Sequence, residues 1–219
     1  METMRAVLFD LDGVLVDTDQ LHFQAWGELA GRLGLPFTRE QGNRCRGISR
    51  MASLEIVLEG ARRPYTRAEK EALAEEKNRR YQQLLAALTP ADAAEGAERV
   101  LAELRRRGYR LALASASRNA GLILRRTGLG ELLDGVADGC LVTRSKPDPE
   151  VFLTAARLVG VPPGQCAAVD DALAGIEAAR RAGALPIAVG DAAARRAGAF
   201  NLGALEELLE LLPDRRDAP

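Results

Sequence analysis

Only three lysines, Lys70, Lys77 and Lys146, stand among the 30 basic residues of this 219-residue chain, alongside one histidine and three cysteines. Thirty basic against 31 acidic residues leave a formal net charge of −1. Without a basic surplus the chain lacks the electrostatic footprint from which a nucleic-acid binder draws its affinity. No apolar run approaches the roughly 20 residues that a membrane-spanning helix needs. The N-terminus passes from Met1 through Arg5 into a short strand-like segment with no secretory pattern. No nucleic-acid or membrane partner is therefore expected. Cys45, Cys140 and Cys166 are odd in number, widely spaced and without a second ligand at zinc-like spacing, which predicts reduced thiols packed as small hydrophobes in a cytoplasmic protein. Long charge blocks are missing too, and 47% apolar residues place the chain among folded proteins rather than disordered ones. Where a lysine persists in so arginine-rich a chain, a compact point charge is favoured over a planar fork.

At roughly 150 residues per domain the length suggests one domain with a sizeable insertion, or two units. Short β-type runs fall at Ala6 to Phe9, Arg110 to Ser115, Gln165 to Val169 and Leu185 to Val189. Helical patterns lie between them, at Glu95 to Arg107, Glu150 to Val159 and Ala172 to Ala182. Alternation of this kind predicts an α/β fold, a Rossmann-like parallel sheet covered by helices on both faces. Residues 17–88 contain no strand pattern. Asp19 can cap a helix running to Leu33, Thr38 with Gln41 and Thr66 with Glu69 make capping-box patterns, and Ser49 precedes a helical run from Met51 to Leu58. The expected organisation is a core of residues 1–16 and 89–219, interrupted by an all-helical domain over 17–88.

The segment Phe9-Asp10-Leu11-Asp12-Gly13 sets two carboxylates at i and i+2 where an apolar strand ends, so both turn to one side. Ligand sites of open α/β sheets lie at the carboxyl ends of strands. Two carboxylates there can divide labour as nucleophile or metal ligand and as acid or base.

That segment, with ALASAS (Ala112 to Ser117), SKPDP (Ser145 to Pro149) and VDDALAGI (Val169 to Ile176), resembles the ordered motifs of the haloacid dehalogenase-like phosphotransferases. The helical insertion is similar to the cap of one subclass. HFQAW (His22 to Trp26), RGISR (Arg46 to Arg50), EEKN (Glu75 to Asn78) and SASRN (Ser115 to Asn119) resemble the sugar-phosphate mutases of that family. The resemblance implies a magnesium-dependent enzyme interconverting β-glucose 1-phosphate and β-glucose 6-phosphate, primed by β-glucose 1,6-bisphosphate. Asp10 would be the nucleophile, Asp12 the general acid/base, and Ser115, the Ala116 amide and Lys146 the groups that stabilise the transferring phosphoryl. Magnesium would be held by Asp10, the Asp12 backbone carbonyl, Asp170 and Asp171.

Substrate contacts are implied for Thr18, His22, Trp26, Arg46, Gly47, Arg50, Lys77, Ser117, Arg118 and Asn119, with Arg50 and Ser117 to Asn119 cradling the phosphate that is not transferring. Two positions depart from the mutase pattern. Asp170 replaces the usual glutamate, and Ala52 stands where an acidic residue is frequent, which weakens contacts to the sugar or to the core. A small phosphorylated sugar is the expected partner and a monomer the expected state. A sugar-phosphate phosphatase on the same scaffold is the alternative, and a non-catalytic binder of phosphorylated metabolites a third reading.

Overall fold

The structure, a computed structural model, describes residues 4–46 and 48–217. Six strands, β1 (Ala6–Phe9), β2 (Arg110–Ala114), β3 (Gly135–Ala137), β4 (Cys166–Asp170), β5 (Leu185–Ala188) and β6 (Phe200–Asn201), form one sheet in the order β3-β2-β1-β4-β5-β6, parallel throughout. The sequence pattern marks four of them. β3 and β6 have three and two residues, too short to carry a period-2 signal. β1 is central and wholly buried, with Val7 registered against Leu111 of β2 and Ala167 of β4. Strand order therefore reverses at β1, which places a ligand crevice at the carboxyl ends of β1, β2 and β4.

Helices α1 (Asp19–Arg32), α2 (Arg39–Arg44), α3 (Arg50–Val57) and α4 (Arg67–Leu85) follow β1 without an intervening strand. Thr66 and Glu69 form the expected capping box on α4, Thr38 and Gln41 one on α2, and Ser49 accepts from the Ala52 amide at the start of α3. At α1 the structure corrects the expectation: Thr18 is the N-cap and Asp19 the first helical residue. The Thr18 hydroxyl makes no cap bond because it donates to Asp12. Trp26, Leu29, Leu54, Val57 and Leu73 bury one another in a core belonging to the insertion itself.

The chain leaves and re-enters the α/β unit side by side. Val16 bridges Ala93 in antiparallel fashion, and the Ala94 amide donates to Leu15.

The remaining helices are α5 (Ala97–Arg106), α6 (Ala120–Thr127), α7 (Glu150–Leu158), α8 (Leu173–Ala182), α9 (Gly190–Ala194) and α10 (Leu208–Leu211). Alternation along the strands gives the sheet two different faces. Val7, Phe9, Leu111 and Leu113 point into one core with Val100, Leu101 and Leu104 of α5. Ala6, Leu8, Ala112, Ala114 and Ala168 face the other, where Ala155, Ala156, Ala178 and Ala179 bring α7 and α8 close to the sheet. Cys166 is buried in this second core, which pushes its thiol up to about 11 and keeps it protonated.

Candidate active site

Asp10 follows β1 directly, Asp170 ends β4 and Asp171 is the next residue, so three carboxylates converge where the central strands stop. One oxygen from each lies within 4.8 Å of the others. Glycines permit this approach. Gly13 has φ +80°, and a β-carbon there would lie 2.5 Å from Asp171 Oδ2. A β-carbon at Gly175 would overlap the Asp170 carboxylate. Neither position tolerates a side chain without moving a carboxylate.

Lys146 enters this cluster from the loop before α7. Its Nζ lies 2.5 Å from Asp10 Oδ1 and 2.7 Å from Asp170 Oδ2, and 5.1 Å from the centre of the Phe152 ring. The peptide that joins it to Pro147 is cis. Burial acts to lower the lysine's pKa, but Asp10 and Asp170 outweigh burial and hold it above its ordinary value, fully charged. Burial raises Asp10 well above the ordinary carboxylate range; Lys146 opposes the rise, while Asp170, Asp12 and Asp171 add to it. Asp171 is pushed up to about 7 by burial and then by Asp170, against the pull of Arg46. The cluster is therefore short of positive charge. Buried hard oxygen donors in that condition suit a small divalent cation such as magnesium.

Asp12 lines the same cavity as Asp10. Burial raises its pKa, opposed by the hydrogen bond from Thr18. A carboxyl group raised in this way holds a proton more readily than an exposed aspartate, which suits a general acid/base. Behind it, Lys77 Nζ lies 2.9 Å from His22 Nδ1, 4.3 Å from the Tyr81 ring centre and 4.7 Å from that of Trp26. His22 stacks on Tyr81 with ring centres 4.0 Å apart. Burial, then the positive charges of Lys77 and Arg50, depresses His22 well below its ordinary value, so the imidazole is neutral beside Lys77. Trp26 is both a core residue of the insertion and part of the cavity wall.

Lys77 is itself lowered from 10.5 to about 7, chiefly by burial and then by Arg50. This gives a pH prediction. Below about pH 7 both folded and unfolded chains carry the proton and the cost of burying it is fully present. From there to 10.5 only the unfolded chain stays protonated, so stability relative to Lys77→Met rises with pH, by about 5 kcal/mol in total. Urea unfolding of both proteins from pH 6.5 to 10 measures that difference. A gap that stays constant across the range contradicts the assignment.

Helices α3, α4 and the turn after β2 complete the wall. Arg50, Ser115, Ala116, Ser117, Arg118 and Asn119 line the same cavity as Asp10, about 560 Å³ in volume. Arg50 is held by Glu75 at 3.4 Å. The Ser117 amide donates to Ser115 Oγ at 3.1 Å and the Asn119 amide to Ser117 Oγ at 3.2 Å, which shapes the turn. Arg118 Nε donates to the Gly139 carbonyl at 3.2 Å. The Asn119 side chain is clasped by α4, accepting from Gln82 and donating to Asn78, each at 3.0 Å. Arg46 is turned to carboxylates, 2.6 Å from Asp171 and 2.9 Å from Asp19. Gly47 lies outside the described residues.

Asp19, Tyr81 and Gln82 are cavity-wall or supporting residues to which the sequence assigns no site role, and Asn78, the last residue of the EEKN motif, is another. The spacing signal was there for two of them: Tyr81 is four residues from Lys77, and Gln82 four from Asn78, each pair on one face of α4. Asp19 carried no such signal, because a helix-initiating aspartate accounts for it equally well.

The haloacid dehalogenase-like hydrolase family model matches residues 4–183. The β-phosphoglucomutase of Bacillus subtilis is 46% identical over 189 residues, covering 85% of this chain and 84% of its own. A phosphorylated carbohydrates phosphatase of Thermotoga maritima is 33% identical over 183 residues, 82% of each chain. Among solved structures, the β-phosphoglucomutase of Clostridium difficile superposes with a TM-score of 0.89 at 33% identity, over 95% of both chains. With six parallel strands, convergent carboxylates at the ends of β1 and β4 and a family match over most of its length, the chain belongs to the haloacid dehalogenase-like hydrolase family.

Proposed function

We propose that the chain is a β-phosphoglucomutase, an isomerase that interconverts β-D-glucose 1-phosphate and β-D-glucose 6-phosphate through an aspartyl phosphate on Asp10 and β-glucose 1,6-bisphosphate. The observation that carries this reading is one cavity lined both by Asp10 with Lys146 and by Arg50, Ser117, Arg118 and Asn119, two sets of groups that we read as two anion cradles. A hydrolase of simple phosphate esters needs only the first.

Asp10, Asp170 and Asp171, with the Asp12 backbone carbonyl, would hold a magnesium ion. When bound, magnesium supplies charge stabilisation to the phosphoryl oxygens. Lys146 opposes protonation of Asp10 and holds its carboxylate aligned, so that an oxygen of it can bond to phosphorus as the sugar–oxygen bond to phosphorus breaks. Asp12 gives its proton to the departing sugar oxygen. In the reverse sense it takes the proton of the incoming hydroxyl as the phosphoryl passes from Asp10 to the sugar, leaving the bisphosphate. The bisphosphate then turns end for end and Asp10 accepts the other phosphoryl. Ser115 and the Ala116 amide donate to the transferring oxygens. Arg50, Ser117, Arg118 and Asn119 grip the phosphate that stays.

Thr18 orients Asp12, and the neutral His22 beside Lys77 walls that carboxyl group from solvent. Residues 17–88 act as a cap that closes over the sugar and excludes water, which suppresses loss of the aspartyl phosphate by hydrolysis.

The relationship to a carbohydrate phosphatase supports the second reading, a hydrolase releasing inorganic phosphate. Arg50→Ala separates the two. Loss of a bidentate phosphate contact lowers isomerisation about 10²–10³-fold in a mutase, whereas phosphate release by a phosphatase stays within about twofold of wild type. Parallel assays of glucose 6-phosphate formation and of inorganic phosphate decide it.

A further inference from the structure

We propose that Arg46 is a positioning residue of the metal site, a built-in counter-cation for Asp171 whose grip is set by Asp19; the proposal rests on magnesium binding at the carboxylate cluster. Nη2 of Arg46 lies 2.6 Å from Asp171 Oδ2 and 2.9 Å from Asp19 Oδ2, so a single nitrogen bridges two carboxylates. These residues come from three places: Arg46 from the loop between α2 and α3, Asp19 from the first turn of α1, and Asp171 from the end of β4.

Their exposures differ in a useful way. The Asp171 side chain is 7% exposed, while those of Arg46 and Asp19 are 32% and 36% exposed. The buried carboxylate thus shares its cation with a carboxylate at the solvent edge. Asp171 offers its negative charge either to the guanidinium or to a divalent ion, and two cations at one buried carboxylate repel each other. When magnesium binds, the half-exposed Asp19 gives Arg46 another partner without stranding its charge. Arg46 thereby weakens magnesium binding, and Asp19 restores part of it by drawing Arg46 away. Because Arg46 belongs to the helical insertion and Asp171 to the α/β unit, the same ion pair holds Arg46 toward the strand ends when the metal is absent. By linkage, magnesium loosens that hold as much as the hold weakens magnesium. With its charge committed to two carboxylates, Arg46 is distinguished from Arg50, which faces the distal cradle.

The test is magnesium titration by isothermal calorimetry on the full chain, without sugar phosphate, for wild type, Arg46→Gln, Arg46→Lys and Asp19→Asn. Arg46→Gln is expected to bind magnesium about tenfold more tightly, the effect of removing a unit charge a few ångströms from a divalent ion in a partly solvated site. Asp19→Asn is expected to bind about threefold more weakly, because Arg46 then rests on Asp171 alone. Arg46→Lys keeps the charge and stays within about twofold of wild type. Shifts of opposite sign are not produced by general loosening of the fold. Equal affinities, or shifts of the same sign for Arg46→Gln and Asp19→Asn in a chain that binds magnesium, overturn the proposal alone. No saturable binding by the wild type overturns the metal assignment beneath it.

Discussion

Asp10→Asn lowers isomerisation by at least about 10⁴-fold, the scale of losing a covalent nucleophile, and does so without lowering the melting temperature. The two halves of this expectation come from one geometry. Asparagine keeps the shape of aspartate and can still meet Lys146, now 2.5 Å from the Asp10 oxygen, but an amide does not accept a phosphoryl group. On the stability side, Asp10 is a buried carboxylate whose pKa is raised well above the usual range by burial, with three other carboxylates adding to the rise. Removing its charge relieves that repulsion, while Lys146 retains Asp170 at 2.7 Å. Turnover assays and thermal unfolding on the same preparation check both halves. Loss of activity together with a fall of many degrees would make Asp10 a structural anchor instead.

Lys146→Met produces the opposite stability result from the same cluster. The lysine is 4% exposed and pairs with two buried carboxylates. Truncating one partner of a buried ion pair costs about 3–5 kcal/mol, because the remaining charges are left uncompensated. For a chain of this size that corresponds to a fall in Tm of about 10 °C. Turnover falls about 10³-fold, since Asp10 loses the charge that opposes its protonation and the phosphoryl oxygens lose a point-charge partner. Arginine does not rescue: its planar fork is larger than an ammonium seated between Asp10, Asp170 and the Phe152 ring. Magnesium raises the Tm of Lys146→Met more than that of wild type, because a divalent ion partly replaces the missing charge. Scanning calorimetry with and without magnesium reads this difference, and identical shifts in the two proteins would contradict it.

The parts of the site that could be read from the sequence are those that strand geometry and helix chemistry dictate locally. Asp10 and Asp12 were legible from an apolar strand ending in carboxylates two residues apart, and the insertion from two capping boxes and the absence of strand pattern between Asp17 and Leu88. Thr18 shows where local rules stop. From sequence, Asp19 is the better N-cap. In the structure Thr18 takes the cap position and its hydroxyl goes to Asp12, six residues away across the turn from β1 to α1. Tertiary demand overrides capping preference there.

The Arg46 pair with Asp171 was hidden for a related reason, as it joins residues 125 positions apart whose separate motifs give no hint of contact. The clasp of Asn119 by Asn78 and Gln82 depends likewise on how α4 packs against α6. The scarcity of lysine pointed to the site. Lys77 and Lys146 are both buried at the site, one with a lowered and one with a raised pKa.

A mutase differs from a phosphatase on this scaffold in that phosphoryl transfer ends on the sugar and not on water. The direct measurement follows β-glucose 1-phosphate by ³¹P NMR with magnesium present, with and without catalytic β-glucose 1,6-bisphosphate, while inorganic phosphate is read in the same spectra. Stoichiometric conversion to glucose 6-phosphate that depends on the bisphosphate, with little phosphate released, is the expected result. Growth of the inorganic phosphate signal in step with loss of substrate, and no glucose 6-phosphate even when primed, would contradict it.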